Sequence, residues 1–183
     1  MKNKFFNISL CGVISALSVV VMMLTMLIPI ASYTLPALAG MLCTLIVIEV
    51  NKKSALAVYV VVSVLSIIIV PDKEAVFLYI LFFGYYPILK NILENKIKSN
   101  IIQFISKLLI FTFSAIIAYL SSIFILGIPN EEYEIFGVNL PIIFLLICMV
   151  SFVMYDYAFS KIIILYFIKF RDKLLHTLKR NNN

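Results

Sequence analysis

The side chains able to do acid–base, nucleophilic or metal chemistry are few in this chain and poorly placed to work together. The single histidine, His176, lies near the C-terminus in a stretch rich in lysine and arginine, so no Ser/His or Cys/His pair can form within the apolar segments. Cys11, Cys43 and Cys148 each sit inside an apolar run, with no Cys-x-x-Cys spacing and no histidine beside them. That pattern reads as small buried hydrophobes and indicates neither zinc nor a disulfide framework. There is no His-Glu-x-x-His, no Gly-x-Ser-x-Gly and no glycine-rich phosphate loop, which argues against metalloprotease, serine-hydrolase and nucleotide-hydrolase chemistry. A site built on two aspartates needs a partner for Asp156 within an apolar segment, and there is none. No enzymatic activity, metal or cofactor is expected.

Ionisable residues inside apolar segments are the other default candidates, because each is costly to place in hydrocarbon. Four occur: Glu49, Lys107, Asp156 and Lys161. All four fall near one end of their segments, so they are expected to form an ion-pair cluster at one membrane interface, with a partner-docking or coupling role as the alternative. The middle of the segments carries no charge and offers hydroxyls and phenols instead: Ser63, Ser66, Tyr79, Thr112, Ser114, Tyr119 and Ser151. These serve helix packing or line a polar pocket. A charge-free centre argues against proton coupling, voltage sensing and charge-ring channels.

The elements that position these residues follow from composition. Of 183 residues, 63% are hydrophobic and 13% charged, and the mean hydropathy is +1.11; soluble domains run at roughly 45–50% and 25%. The chain therefore reads as an all-α polytopic membrane bundle, a single integral membrane domain. Six apolar segments are expected to span, at about 6–30, 33–50, 54–70, 74–89, 108–128 and 140–159. Residues 5–30 exceed a signal-peptide core and no small-residue cleavage site follows, so they are expected to remain as the first span. Residues 91–103 read as an amphipathic interfacial stretch, and 160–183 as a basic amphipathic tail.

Loop charge orients the bundle. With the N-terminus inside, fourteen of the fifteen lysines and arginines fall on the inner side and Lys73 alone on the outer. Acidic residues divide four to five, leaving +10 inside and −4 outside, together the +6 of the chain. Six spans with both termini cytoplasmic, in a bacterial plasma membrane, satisfy the positive-inside rule. The basic residues form no groove-sized patch, so nucleic acid is not an expected partner; the lipid bilayer is. Pro71 should stop the third helix and Asp72 cap the fourth. Tyr85, Tyr86 and Lys90 read as interfacial anchors, while Gly84 and Pro87 suggest a bend or close backbone contact. On the first helix Ser9, Gly12 and Ala16 set small residues on one face, the geometry of a packing or docking surface.

Two resemblances rest on these blocks. Pro71-Asp72-Lys73-Glu74, the run from Phe83-Gly84-Tyr85-Tyr86-Pro87 to Lys90, and Tyr155-Asp156 resemble a group of small uncharacterised six-span membrane proteins of Firmicutes, which brings no function. In size, span number and topology the chain is also similar to the substrate-binding (S) subunits of energy-coupling factor vitamin transporters. In those proteins an Ala-x-x-x-Ala surface on the first helix docks on a transmembrane coupling subunit energised by ATPase subunits; Gly12 and Ala16 correspond, with glycine replacing the first alanine. The resemblance implies an outward-facing pocket for a small-molecule ligand, built from the last three helices and outer loops, with Tyr79, Tyr119, Asn130, Tyr133 and Asn139 as candidate contacts. The expected function is therefore substrate capture for a multi-subunit importer of a small, vitamin-like molecule. The alternative is a non-transporting scaffold or assembly protein with a basic cytoplasmic docking face.

Overall fold

In a computed structural model the chain is described over residues 4–28, 31–124, 141–166 and 168, with side chains given for all of these but 119, 122–124 and 141–145. The described residues are all-α. The helices are α1 Lys4–Met23, prolonged by a 3-10 turn Leu24–Met26, α2 Thr34–Glu49, α3 Lys52–Ile69, α4 Lys73–Leu78, α5 Tyr86–Lys96, α6 Asn100–Phe124 and α7 Pro141–Leu165. A π-helical segment, Tyr79–Phe83, joins α4 to α5.

Helix ends follow local chemistry. The Asn51 side chain accepts from Ser54 N (2.7 Å) and starts α3. Asp72 accepts from Ala75 N (3.0 Å) and caps α4, as its position after Pro71 leads one to expect. Lys73 turns back instead, its Nζ donating to the carbonyls of Ile67 (2.8 Å) and Val70 (2.9 Å) at the end of α3. That placement satisfies carbonyl groups that have no intrahelical partner and sets a cation at the negative end of the helix dipole.

Five helical stretches are long and apolar enough to cross a membrane: Lys4–Met26, Lys52–Ile69, Lys73–Lys96, Asn100–Ala118 and Leu146–Leu165. The sixth apolar helix, Thr34–Glu49, is shorter at 16 residues. The outer surface of the bundle agrees with this composition. Ile68, Leu109, Phe113 and Met154 are each more than 60% exposed, a density of uncovered apolar side chains suited to lipid rather than water. The chain is a multi-pass membrane protein by these measures.

Three boundaries differ from expectation, one being the end of the sixth apolar segment, since α7 runs past 159 to Leu165. The fourth segment does not end at Leu89: π segment and α5 carry it on to Lys96. The predicted interfacial stretch 91–103 is not one element either, since α5 stops at Lys96 and α6 begins at Asn100, eight residues before 108. Apolarity alone set those boundaries. Lysines inside the ends of α5 and α6 make the helices look shorter than their hydrogen bonding makes them.

Packing divides into two regions. One joins α1, α2, α3 and α4 through Ile14, Met22, Ala39, Cys43, Ile46, Val58 and Val62, among others. The other is aromatic and lies among the π segment, α5, α6 and α7, centred on Phe82, Tyr86 and Phe152. Gly40 lets the two meet, because a Cβ there would stand 2.2 Å from the Phe83 carbonyl oxygen.

Candidate functional site

The site begins with the π segment. Gly84 N donates to Tyr79 O at 2.8 Å, closing a turn one residue longer than an α-turn, and Tyr59 Oη on α3 donates to the carbonyl of Ile80 at 2.9 Å. The extra residue turns everything downstream by about 100° relative to α4. Gly84 permits this: a Cβ there would lie 2.5 Å from Tyr59 Cδ2 and 2.8 Å from Tyr79 Cε1. The close backbone contact expected at Gly84 is therefore present. Beyond it, Phe82, Tyr86, Lys90 and Glu94 recur every fourth residue and share a face.

Above Phe82 lies a cavity of about 510 Å³, within the usual range of small-molecule sites. Its wall comes from the start of α2 and α4, the π segment, the middle of α6 and the first described part of α7. Tyr33 and Glu74 stand at one end, joined by a 2.7 Å hydrogen bond from the phenol to Oε1. Phe82, Phe111, Phe152 and Tyr155 line it further along. Phe111 and Phe152 stack with centroids 4.5 Å apart at 11°, and Phe82 meets both edge-on at 5.0 and 5.5 Å. Ser114 and Ser151 add hydroxyls, the former paired with Tyr85 Oη at 2.9 Å. Tyr155 Oη is buried without a hydrogen-bond partner among the described residues.

Beneath this aromatic floor sits a cluster of charges. Tyr86, packed on Phe82 at 4.8 Å, donates its phenol proton to Asp156 Oδ1. Lys90 donates to the same carboxylate and to Ser160 Oγ at 2.8 Å, and lies 3.2 Å from Glu94. Lys107 reaches Glu94 at 2.6 Å and Asp156 Oδ2 at 3.5 Å. Two lysines thus face two carboxylates, so the group is formally neutral. Lys90 is 2% exposed and Lys107 5%, and ions so deeply placed are tolerated only when paired. The cluster is a polar plug that ties α5, α6 and α7 together.

Of the four ionisable residues expected to cluster, Lys107 and Asp156 come together and the other two do not. Glu49 accepts from Tyr166 Oη at 3.2 Å, and Lys161 stands over the Tyr157 ring, 5.3 Å from its centroid. Lys90 and Glu94 take their places. Tyr86 and Lys90 are therefore not interfacial anchors but among the most buried side chains of the described residues. Their signal was the spacing of four along Tyr86, Lys90 and Glu94, repeated by Asp156 and Ser160 on the facing helix.

The candidate ligand contacts scatter. Tyr79 is fully buried beside Tyr59 and is not on the cavity wall; its hydroxyl has no partner among the described residues. The side chain of Tyr119 and the whole of Asn130, Tyr133 and Asn139 lie outside the described residues. Ser63 and Ser66 are buried on α3, and Thr112 bonds its own helix at Leu108 O (2.8 Å). Gly12 and Ala16 are exposed on the outer face of α1, and a Cβ on Gly12 would meet nothing within 4 Å. Among the described residues no three His, Cys, Asp or Glu side chains gather as a metal site requires. No family model, no curated protein and no solved structure matches the chain.

Proposed function

We propose that the chain is the substrate-binding subunit of a multi-subunit small-molecule importer, held in a bacterial plasma membrane by six spans with both termini cytoplasmic. The observation that carries this reading is the 510 Å³ cavity among α2, α4, α6 and α7 with an aromatic floor and a neutral ion cluster below it. Such a site captures a molecule and holds it. Onward movement in this reading is the work of a partner. The small-residue stripe Ser9, Gly12 and Ala16 is uncovered on α1, which suits docking of a transmembrane coupling subunit driven by separate ATPase subunits. Lys52 and Lys53 open α3, and Lys96 and Lys98 lie at and just beyond the end of α5; the positive-inside rule assigns these helix ends to the cytoplasmic side.

Affinity purification from native membranes, with mass spectrometry of the bound small molecules and proteins, tests the proposal. A stoichiometric small molecule together with a coupling subunit or ATPase supports it. Recovery of lipid and cell-envelope proteins alone, in repeated preparations, would overturn it in favour of a scaffold.

A further inference from the structure

The cavity that supports the proposed function also carries information about what fits it. Its wall is mostly aromatic and aliphatic, and Glu74 is the one charged side chain among the described residues that line it. Three nearby lysines are withheld from it. Lys73, adjacent in sequence, is spent on the carbonyls of Ile67 and Val70. Lys90 and Lys107 are below the floor, engaged with Asp156 and Glu94. An anionic ligand would lose its hydration and find no cation among these groups, which is strongly unfavourable in an apolar site. A cation would find a carboxylate whose position Tyr33 fixes through the 2.7 Å hydrogen bond. Phe77, Phe83 and Phe111 line the cavity with part of each ring uncovered, Phe111 backed by the buried Phe82 and Phe152, and such a wall suits a flat π-system.

We infer that the occupant is an aromatic amine bound as its cation, with its ring against the aromatic wall at Phe111 and its ammonium group at Glu74. The inference rests on the cavity being a ligand site, as proposed above. It selects the charge and shape of the ligand within that reading.

Three probes of one size test it: 2-(1-naphthyl)ethylamine, 2-(1-naphthyl)ethanol and 1-naphthaleneacetic acid, titrated at pH 7 into the detergent-purified full chain. Bound probe is separated by equilibrium dialysis against protein-free micelles and quantified by mass spectrometry, a readout that the tryptophan of the control variant does not disturb. The amine is expected to bind roughly tenfold more tightly than the alcohol, the value of one charge-assisted contact over a neutral one, and the acid more weakly than either. Glu74→Gln should abolish the preference for the amine and leave the alcohol unchanged. Tyr33→Phe, which keeps the charge, should retain the preference. Ala115→Trp obstructs the cavity beside Phe111 and measures partition into the micelle; elution volume and melting temperature confirm that each variant folds. If the probes bind Ala115→Trp as well as the natural chain, or bind neither, the cavity is not a ligand site and both readings fall. If Ala115→Trp removes binding but the alcohol or acid equals the amine, or Glu74→Gln changes nothing, the cavity stands and the cationic class is refuted.

Discussion

Replacing Asp156 with asparagine should destabilise the chain far more than an isosteric exchange on a helix usually does. In the folded protein the Asp156 carboxylate serves Lys90, Lys107 and the Tyr86 phenol at once. Asparagine keeps an oxygen for Tyr86 but removes one of the two negative charges. Two lysines at 2% and 5% exposure would then share Glu94, whose side chain is 40% exposed. Removing one partner of a buried pair costs about 3–5 kcal/mol, because the remaining charge stays in a low-dielectric site. The Lys107–Glu94 contact at 2.6 Å survives, so the lower bound of about 3 kcal/mol applies. For a chain of this length that lowers the melting temperature by about 6–12 °C. Thermal unfolding in detergent, followed by tyrosine emission, reads the shift. The same assay on Lys90→Met and on Lys90→Met/Asp156→Asn completes the cycle. Each single change leaves a net charge on the cluster, whereas the double change leaves the neutral Lys107–Glu94 pair. The double variant should therefore be at least about 2 kcal/mol more stable than the sum of the single effects predicts. An Asp156→Asn protein within about 0.5 kcal/mol of the natural chain, or strict additivity in the cycle, would refute a buried, mutually dependent cluster.

Other perturbations separate the contributions of backbone approach, capping and the π segment. Gly40→Ala places a Cβ 2.2 Å from the Phe83 carbonyl oxygen, so α2 must move off the π segment at a cost of about 1–3 kcal/mol, seen as a lower melting temperature. Gly12→Leu, with open space around it, should leave stability of the isolated chain within about 0.5 kcal/mol, while its bulk on the small-residue face lowers recovery of a coupling subunit in a pull-down. Tyr59→Phe leaves the Ile80 carbonyl without its 2.9 Å donor; a loss of about 1 kcal/mol and faster amide exchange across 79–84 are expected. Asp72→Ala removes the cap at Ala75 N and should cost about 1 kcal/mol in the same unfolding assay.

The sequence made the helices legible because a span of apolar residues has few alternatives in a bilayer: every backbone group must be satisfied within the segment. Asp72 as a cap and Gly84 as a close contact followed from residue type and position. Length at the lysine-bearing ends did not, because Lys90 and Lys107 look like anchors by hydropathy yet are buried by pairing. The cluster was half visible: Asp156 and Lys107 stood out as charges within apolar runs, but the partnership of Lys90 and Glu94 depends on how α5 faces α6 and α7. The π segment sets that facing, and no motif announces an added residue in a helical turn. The cavity was less legible still. Phe82, Phe111 and Phe152 belong to three separate helices, and the register of one helix against another is a property of packing that single-chain periodicity does not encode.

The account turns on whether a small molecule occupies the space above Phe82, Phe111 and Phe152. Native mass spectrometry of the chain released from its own membranes, beside the Ala115→Trp variant prepared identically, reads that occupancy directly. The natural chain should carry an adduct of one small molecule per protein, and the obstructed variant, equally folded, should lack it. Identical spectra, with no adduct on either chain or the same adduct on both, would contradict the claim.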